Sequence, residues 1–142
     1  MIRRATVIMG VSLLAGMFLI SGMTKVLWSH AFERALQQYP VALSVLHTKA
    51  ILVILPLAEL ALAVGVEIRP LRRVSLYTML FLLVAFTALQ IKVVALGLSI
   101  PCGCFGGASP AIGYRTVTTN VILIVTVVWV LLAPQLQARN AT

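Results

Sequence analysis

Residues 74–96 read VSLYTMLFLLVAFTALQIKVVAL, and this stretch decides the fold class. Lys92, near its far end, is the sole formal charge in it. The apolar residues run on without the alternation that a membrane β-strand needs, so the segment is a helix, and roughly 20 such residues suffice to cross a bilayer. Thr6–Leu27, Ala50–Val66 and Val117–Ala133 repeat the pattern. With 61% hydrophobic and 10% charged residues and a mean hydropathy of +1.09, 142 residues cannot hide their apolar side chains in an interior of their own. The expected fold is all-α, an integral membrane four-helix bundle of antiparallel, up-down-up-down spans forming one domain over residues 1–142.

A net charge of +8 invites a nucleic-acid reading, but its distribution argues against one. Arg3, Arg4, Arg69, Arg72, Arg73 and Arg139 fall in the termini and the second connection, whereas Arg34, Lys49 and Arg115 fall in the first and third. For four spans these groups lie on opposite faces. The positive-inside rule then places both termini in the cytoplasm and loops 28–49 and 97–116 outside. The basic charge reads as a topology signal for a bacterial inner (cytoplasmic) membrane, with the bilayer rather than nucleic acid as the partner. Arg3-Arg4 ahead of an apolar run resembles a signal peptide. However, no small-x-small cleavage site follows, and Lys25 with Trp28 forms an interfacial end, so the segment is expected to stay as a span.

In the first outer loop, Phe32 and Leu36 stand four apart, the spacing of a short amphipathic helix lying on the membrane, and Tyr39-Pro40 ends it. The second outer loop, Gly97–Thr116, holds five glycines and two prolines and is expected to be irregular and compact. The inner turn Glu67-Ile68-Arg69-Pro70 is tight, and Pro134 stops the last span.

Polar groups within the spans are costly, about 2.5–3.5 kcal/mol for a charge at the helix centre on insertion scales. Glu59 is expected near the midplane. Lys25, a turn from the end of its span, can reach toward Glu59 or snorkel to the surface. Paired, the two form a polar lock between the first two spans; alternatively, Glu59 serves a proton path or faces a quinone. Ser21 and Gly22 allow a neighbouring helix close. Gln90, Lys92 and Asn120 lie a turn or two below the outer ends of spans three and four.

Cys102 and Cys104 are the two cysteines of the chain. Outside a bacterial cytoplasmic membrane they meet an oxidising compartment. Their Cα atoms are expected about 5.5–7 Å apart, at the edge of the usual disulfide range, so a bridge across Gly103 is strained and labile. Lys92 and Arg115 are candidate thiolate stabilisers. This combination favours thiol–disulfide exchange, with Cys104 the more exposed nucleophile. A zinc site built from both thiols with His30 and His47 has the right ligand number but no recognisable spacing, and no metal is expected. No cofactor is required by these residues, a quinone being the one candidate. The other open reading is a non-catalytic membrane subunit or small transporter whose cysteines are structural.

Taken in order, Ser21-Gly22 with Lys25, Phe32 to Tyr39-Pro40, Leu55-Pro56 with Glu59-Leu60, Gly97, Pro101-Cys102-Gly103-Cys104-Phe105-Gly106, and Arg115 with Asn120 resemble the MauE (methylamine utilisation) membrane proteins within the DoxX-like group. The resemblance runs from about residue 16 to 130. It implies a four-span inner-membrane protein that supports processing, transport or disulfide formation of the disulfide-rich methylamine dehydrogenase beta (small) subunit, acting with a thioredoxin-like partner. It also suggests kinship with four-helix disulfide-generating proteins of the vitamin K epoxide reductase and DsbB kind. Those carry two cysteine pairs and this chain carries one, so relay to or from a partner is the expected mode.

Overall fold

The computed structural model describes residues 2–39, 45–102 and 111–133. Among these described residues there are five helices: α1 (Ile2–Leu27), α2 (Ser29–Gln38), α3 (Val45–Gly65), α4 (Arg72–Ala95) and α5 (Tyr114–Leu132). Four are long and apolar enough to cross a membrane, over Ala5–Leu27, His47–Gly65, Arg72–Ala95 and Tyr114–Leu132. At 19 to 24 residues they reach roughly 28–36 Å, the thickness of a hydrocarbon core. The chain is an all-α membrane helical bundle.

Large apolar side chains point outward along every long helix, among them Met9, Ile54, Phe81 and Leu132. Such a surface suits lipid and not water. α1 packs chiefly on α3 and α4 chiefly on α5, so the bundle is two tight pairs laid together. Gly22 permits the first close approach: a Cβ there would stand 2.9 Å from Leu60 Cγ and 3.1 Å from the Pro56 carbonyl oxygen. Opposite the cysteine loop, at the end bearing the α3–α4 turn, the interior is a dry cluster that includes Val11, Leu14, Val66, Leu76, Met79, Val127 and Val130. At that turn Arg72 closes α3: its Nε donates to the Val66 carbonyl at 2.8 Å and its Nη2 to that of Glu67 at 3.2 Å. Both carbonyls lie just past Gly65, the last residue of α3, so the cation satisfies acceptors of the turn and complements the helix dipole.

Every long helix starts ahead of the sequence expectation: α1 at Ile2, ahead of Thr6, α3 at Val45, ahead of Ala50, α4 at Arg72, ahead of Val74, and α5 at Tyr114, ahead of Val117. In α5 the Thr116 hydroxyl accepts from the Gly113 N–H at 3.0 Å and donates to its carbonyl at 2.7 Å, which caps the helix before its apolar run begins. The amphipathic α2 is present, burying Phe32 and Ala35 with Leu36 half-exposed. Pro134, expected to stop the last span, lies outside the described residues; α5 ends at Leu132.

A buried ion pair and a thiol around one cavity

The cysteine-loop end is built by the way α4 stops. Gly97 adopts φ +65°, its N–H bonds the Val94 carbonyl at 3.0 Å, and the Leu98 N–H reaches back to Val93 at 3.2 Å. This Schellman closure uses glycine because a side chain is disfavoured in the left-handed region. The chain then folds over the bundle, where Pro101 pairs with Ala111 as an antiparallel bridge and the Ile112 N–H bonds the Ile100 carbonyl at 2.7 Å. Val93, Ile100, Cys102 and Ile112 pack as a small second core. Cys102 is thereby turned inward, with 8% of its surface exposed.

Beneath it lies a cavity of about 220 Å³ between the two helix pairs, its wall mostly apolar. On one side stands the ion pair. Lys25 Nζ lies 2.6 and 2.7 Å from the two Glu59 carboxylate oxygens and 2.7 Å from Ser21 Oγ, so all three ammonium protons are used. The Phe32 and Phe86 rings each stand 5.6 Å from that nitrogen, within cation–π range. Both partners are almost fully buried. On the other side, Asn120 Nδ2 donates to Gln90 Oε1 at 3.1 Å, and Gln90 Nε2 donates to Cys102 Sγ at 3.6 Å. A carboxamide N–H aimed at sulfur favours the charged form of that thiol, since hydrogen bonding to an anion stabilises it.

The structure thus brings Lys25 to Glu59, and Cys102 to the same cavity with Arg115 among its lining residues. Lys92 is placed elsewhere: it is exposed and is not among the residues that line the cavity. The helical turn explains this, because two residues beyond the buried Gln90 is about 200° round α4. Cys104 and Phe105 lie outside the described residues. Sequence reasoning noted Gln90 and Asn120 by depth but missed that they bond each other and lead to Cys102. Carboxamides at matching depth on adjacent spans were the available signal.

No curated protein and no solved structure matches this chain. The sequence profile of the family described as methylamine utilisation protein MauE does match, over residues 3–133. That match takes in all four long helices, the ion pair and the cysteine loop, so this multi-pass membrane protein belongs to the MauE family of methylamine utilisation proteins.

Proposed function

We propose that the protein is a thiol–disulfide relay in a bacterial cytoplasmic membrane, related to the wider DoxX-like group. Cys102 and Cys104 are its exchange pair. A thioredoxin-like extracytoplasmic protein exchanges with them, and the client is a disulfide-rich secreted protein of the methylamine dehydrogenase small-subunit kind. In this reading both termini are cytoplasmic and the cysteine loop faces outside. The observation that carries it is the Gln90 N–H donated to Cys102 Sγ, which equips a buried thiol with a donor that a purely packing cysteine does not need.

The test is a trap. With one cysteine changed to serine, the remaining thiol should hold its partner as a dithiothreitol-sensitive mixed disulfide, and the Cys102→Ser/Cys104→Ser form should abolish client maturation. Maturation that persists in the double variant, with no adduct from either single variant, would leave the cysteines structural. The chain would then be a non-catalytic subunit or small transporter organised around Glu59.

A further inference from the structure

The wall of the cavity holds three charged side chains, Lys25, Glu59 and Arg115. Lys25 and Glu59 answer each other at 2.6 and 2.7 Å. Arg115 pairs with no carboxylate among the described residues. Glu33 and Glu67, the remaining acids of the chain, do not line the cavity. The wall therefore keeps one positive charge, which suits a guest with a single negative one. Arg115 and Thr119 are also exposed, so the cavity reaches the surface of the bundle beside them.

Polarity changes with depth. Arg115 is the second residue of α5, and Asn120 stands roughly 9 Å beyond the start of that helix. The Asn120 amide spends one N–H on Gln90 and has a second to give. Deeper, the wall turns apolar. Leu123 lies roughly 14 Å along α5, and Phe86 and Leu82 lie roughly 14 and 20 Å from the end of α4. At about 220 Å³, against the ~150 Å³ engineered cavity that accommodates benzene, the space holds about eight or nine carbon atoms. An anionic head at the mouth and a hydrocarbon tail below it match both the charge and the gradient.

We infer that the cavity binds a membrane amphiphile whose head is a singly charged oxyanion, a lipid phosphodiester or a fatty-acid carboxylate. The head rests on the Arg115 guanidinium, whose planar fork matches two oxygens of either group. One hydrocarbon chain runs down between the two helix pairs, with the Lys25–Glu59 pair, its charges cancelled, to one side. The guest undergoes no chemistry, and the site is independent of the exchange role proposed for the cysteines.

The experiment uses full-length protein in an uncharged detergent, with bound lipid counted by native mass spectrometry. Palmitoyl-oleoyl phosphatidylglycerol should bind at one per chain, at least tenfold tighter than phosphatidylcholine with the same chains. Arg115→Gln should weaken phosphatidylglycerol at least tenfold and leave phosphatidylcholine unchanged. Arg69→Gln, which removes the same charge at the α3–α4 turn, should change neither. Both arginines are exposed, so neither change threatens the fold. Decanoate should displace phosphatidylglycerol, whereas acetate, with the same charge and no chain, should not. Thr119→Trp narrows the mouth without altering charge and should weaken both anionic amphiphiles at least fivefold. Tighter binding of decanoate than of phosphatidylglycerol assigns the site to a free fatty acid, and the reverse assigns it to a lipid. The inference is overturned if the two phospholipids bind alike or if Arg115→Gln holds phosphatidylglycerol as wild type does. It is equally overturned if acetate displaces as well as decanoate, or if Thr119→Trp binds at wild-type strength, which would put the chain outside the cavity.

Discussion

The two ends of the bundle solve the same packing problem with opposite chemistry. At the end bearing the α3–α4 turn, Leu14, Leu76, Met79, Val127 and Val130 interdigitate, with the small hydroxyl of Ser75 the buried polar group near the turn. At the cysteine-loop end, the same four long helices enclose a cavity with an ion pair on one side and a carboxamide–thiol chain on the other. Lipid is as apolar as leucine, so the dry end gains little by hiding from solvent and holds through contact and shape. The cysteine-loop end is held by groups with no acceptable alternative, since an unpaired charge in hydrocarbon is costly. One end is suited to stability alone. The other keeps open space beside reactive atoms, which a core optimised only for packing would fill.

The largest expected effect breaks the ion pair. Lys25→Met leaves Glu59 buried without its cation, and Glu59→Leu does the converse. Each should cost about 3–5 kcal/mol in reversible unfolding from detergent. Glu59→Gln should cost less, because its carbonyl still accepts from the lysine. The Lys25→Met/Glu59→Leu double variant should recover much of the loss, since two apolar residues leave no orphan charge. If the single changes are silent, the cysteine-loop end is not held as described.

Leu14→Ala probes the dry end in the same assay. Leu14 is fully buried, and truncation should cost about 2–3 kcal/mol, near the lower end of the usual range, because the transfer part is small in lipid. Combined with Lys25→Met it should add nearly independently, and Cys102 alkylation should be unchanged. Coupling well beyond about 0.5 kcal/mol would mean the two ends are not separate.

How much of this was legible in the sequence follows from what each feature requires. The spans needed only run length and the helical period. The Lys25–Glu59 pair was one of the alternatives that depth allowed, because a lysine a turn from the end of its span can reach down toward a carboxylate near the midplane. The start of α5 was hidden because Tyr114-Arg115-Thr116 is polar and its cap is a threonine hydroxyl bonded to glycine backbone. The Gln90–Asn120–Cys102 chain needed the register of α4 against α5 and the turn at Gly97 that folds Cys102 inward. None of these is fixed by local pattern. Lys92 lies outside the cavity lining for a related reason, since linear proximity says nothing about which side of the helix a residue occupies.

Two glycines on α1 sharpen the contrast further. Gly22 sits where a Cβ would meet the Pro56 carbonyl oxygen at 3.1 Å, backbone that cannot step aside, so Gly22→Ala should cost about 1–3 kcal/mol by forcing α1 from α3. Gly16 has nothing within 4 Å of such a Cβ. Gly16→Ala should therefore be neutral or stabilise by up to about 1 kcal/mol through helix propensity. Equal outcomes at the two sites would remove the argument for a glycine-dependent approach of α1 and α3.

The smallest loss of stability should come from Gln90→Leu, and it separates holding from chemistry. Hydrogen bonds between membrane helices average only about 0.6 kcal/mol, so losing the bond from Asn120 should shift unfolding by that order. Leucine is similar in size, so the cavity wall keeps its shape. Sγ of Cys102, however, loses the N–H that Gln90 donates to it. With less stabilisation of the thiolate, alkylation of Cys102 in a Cys104→Ser background should fall several-fold at neutral pH. Gln90→Asn retains a carboxamide on a shorter arm, so it should preserve solubility of the site in polar terms but not the reach to sulfur, and should behave like Gln90→Leu. If alkylation is unchanged in both variants, the bond to sulfur does not activate the thiol, and the carboxamide pair serves only to fasten α4 to α5.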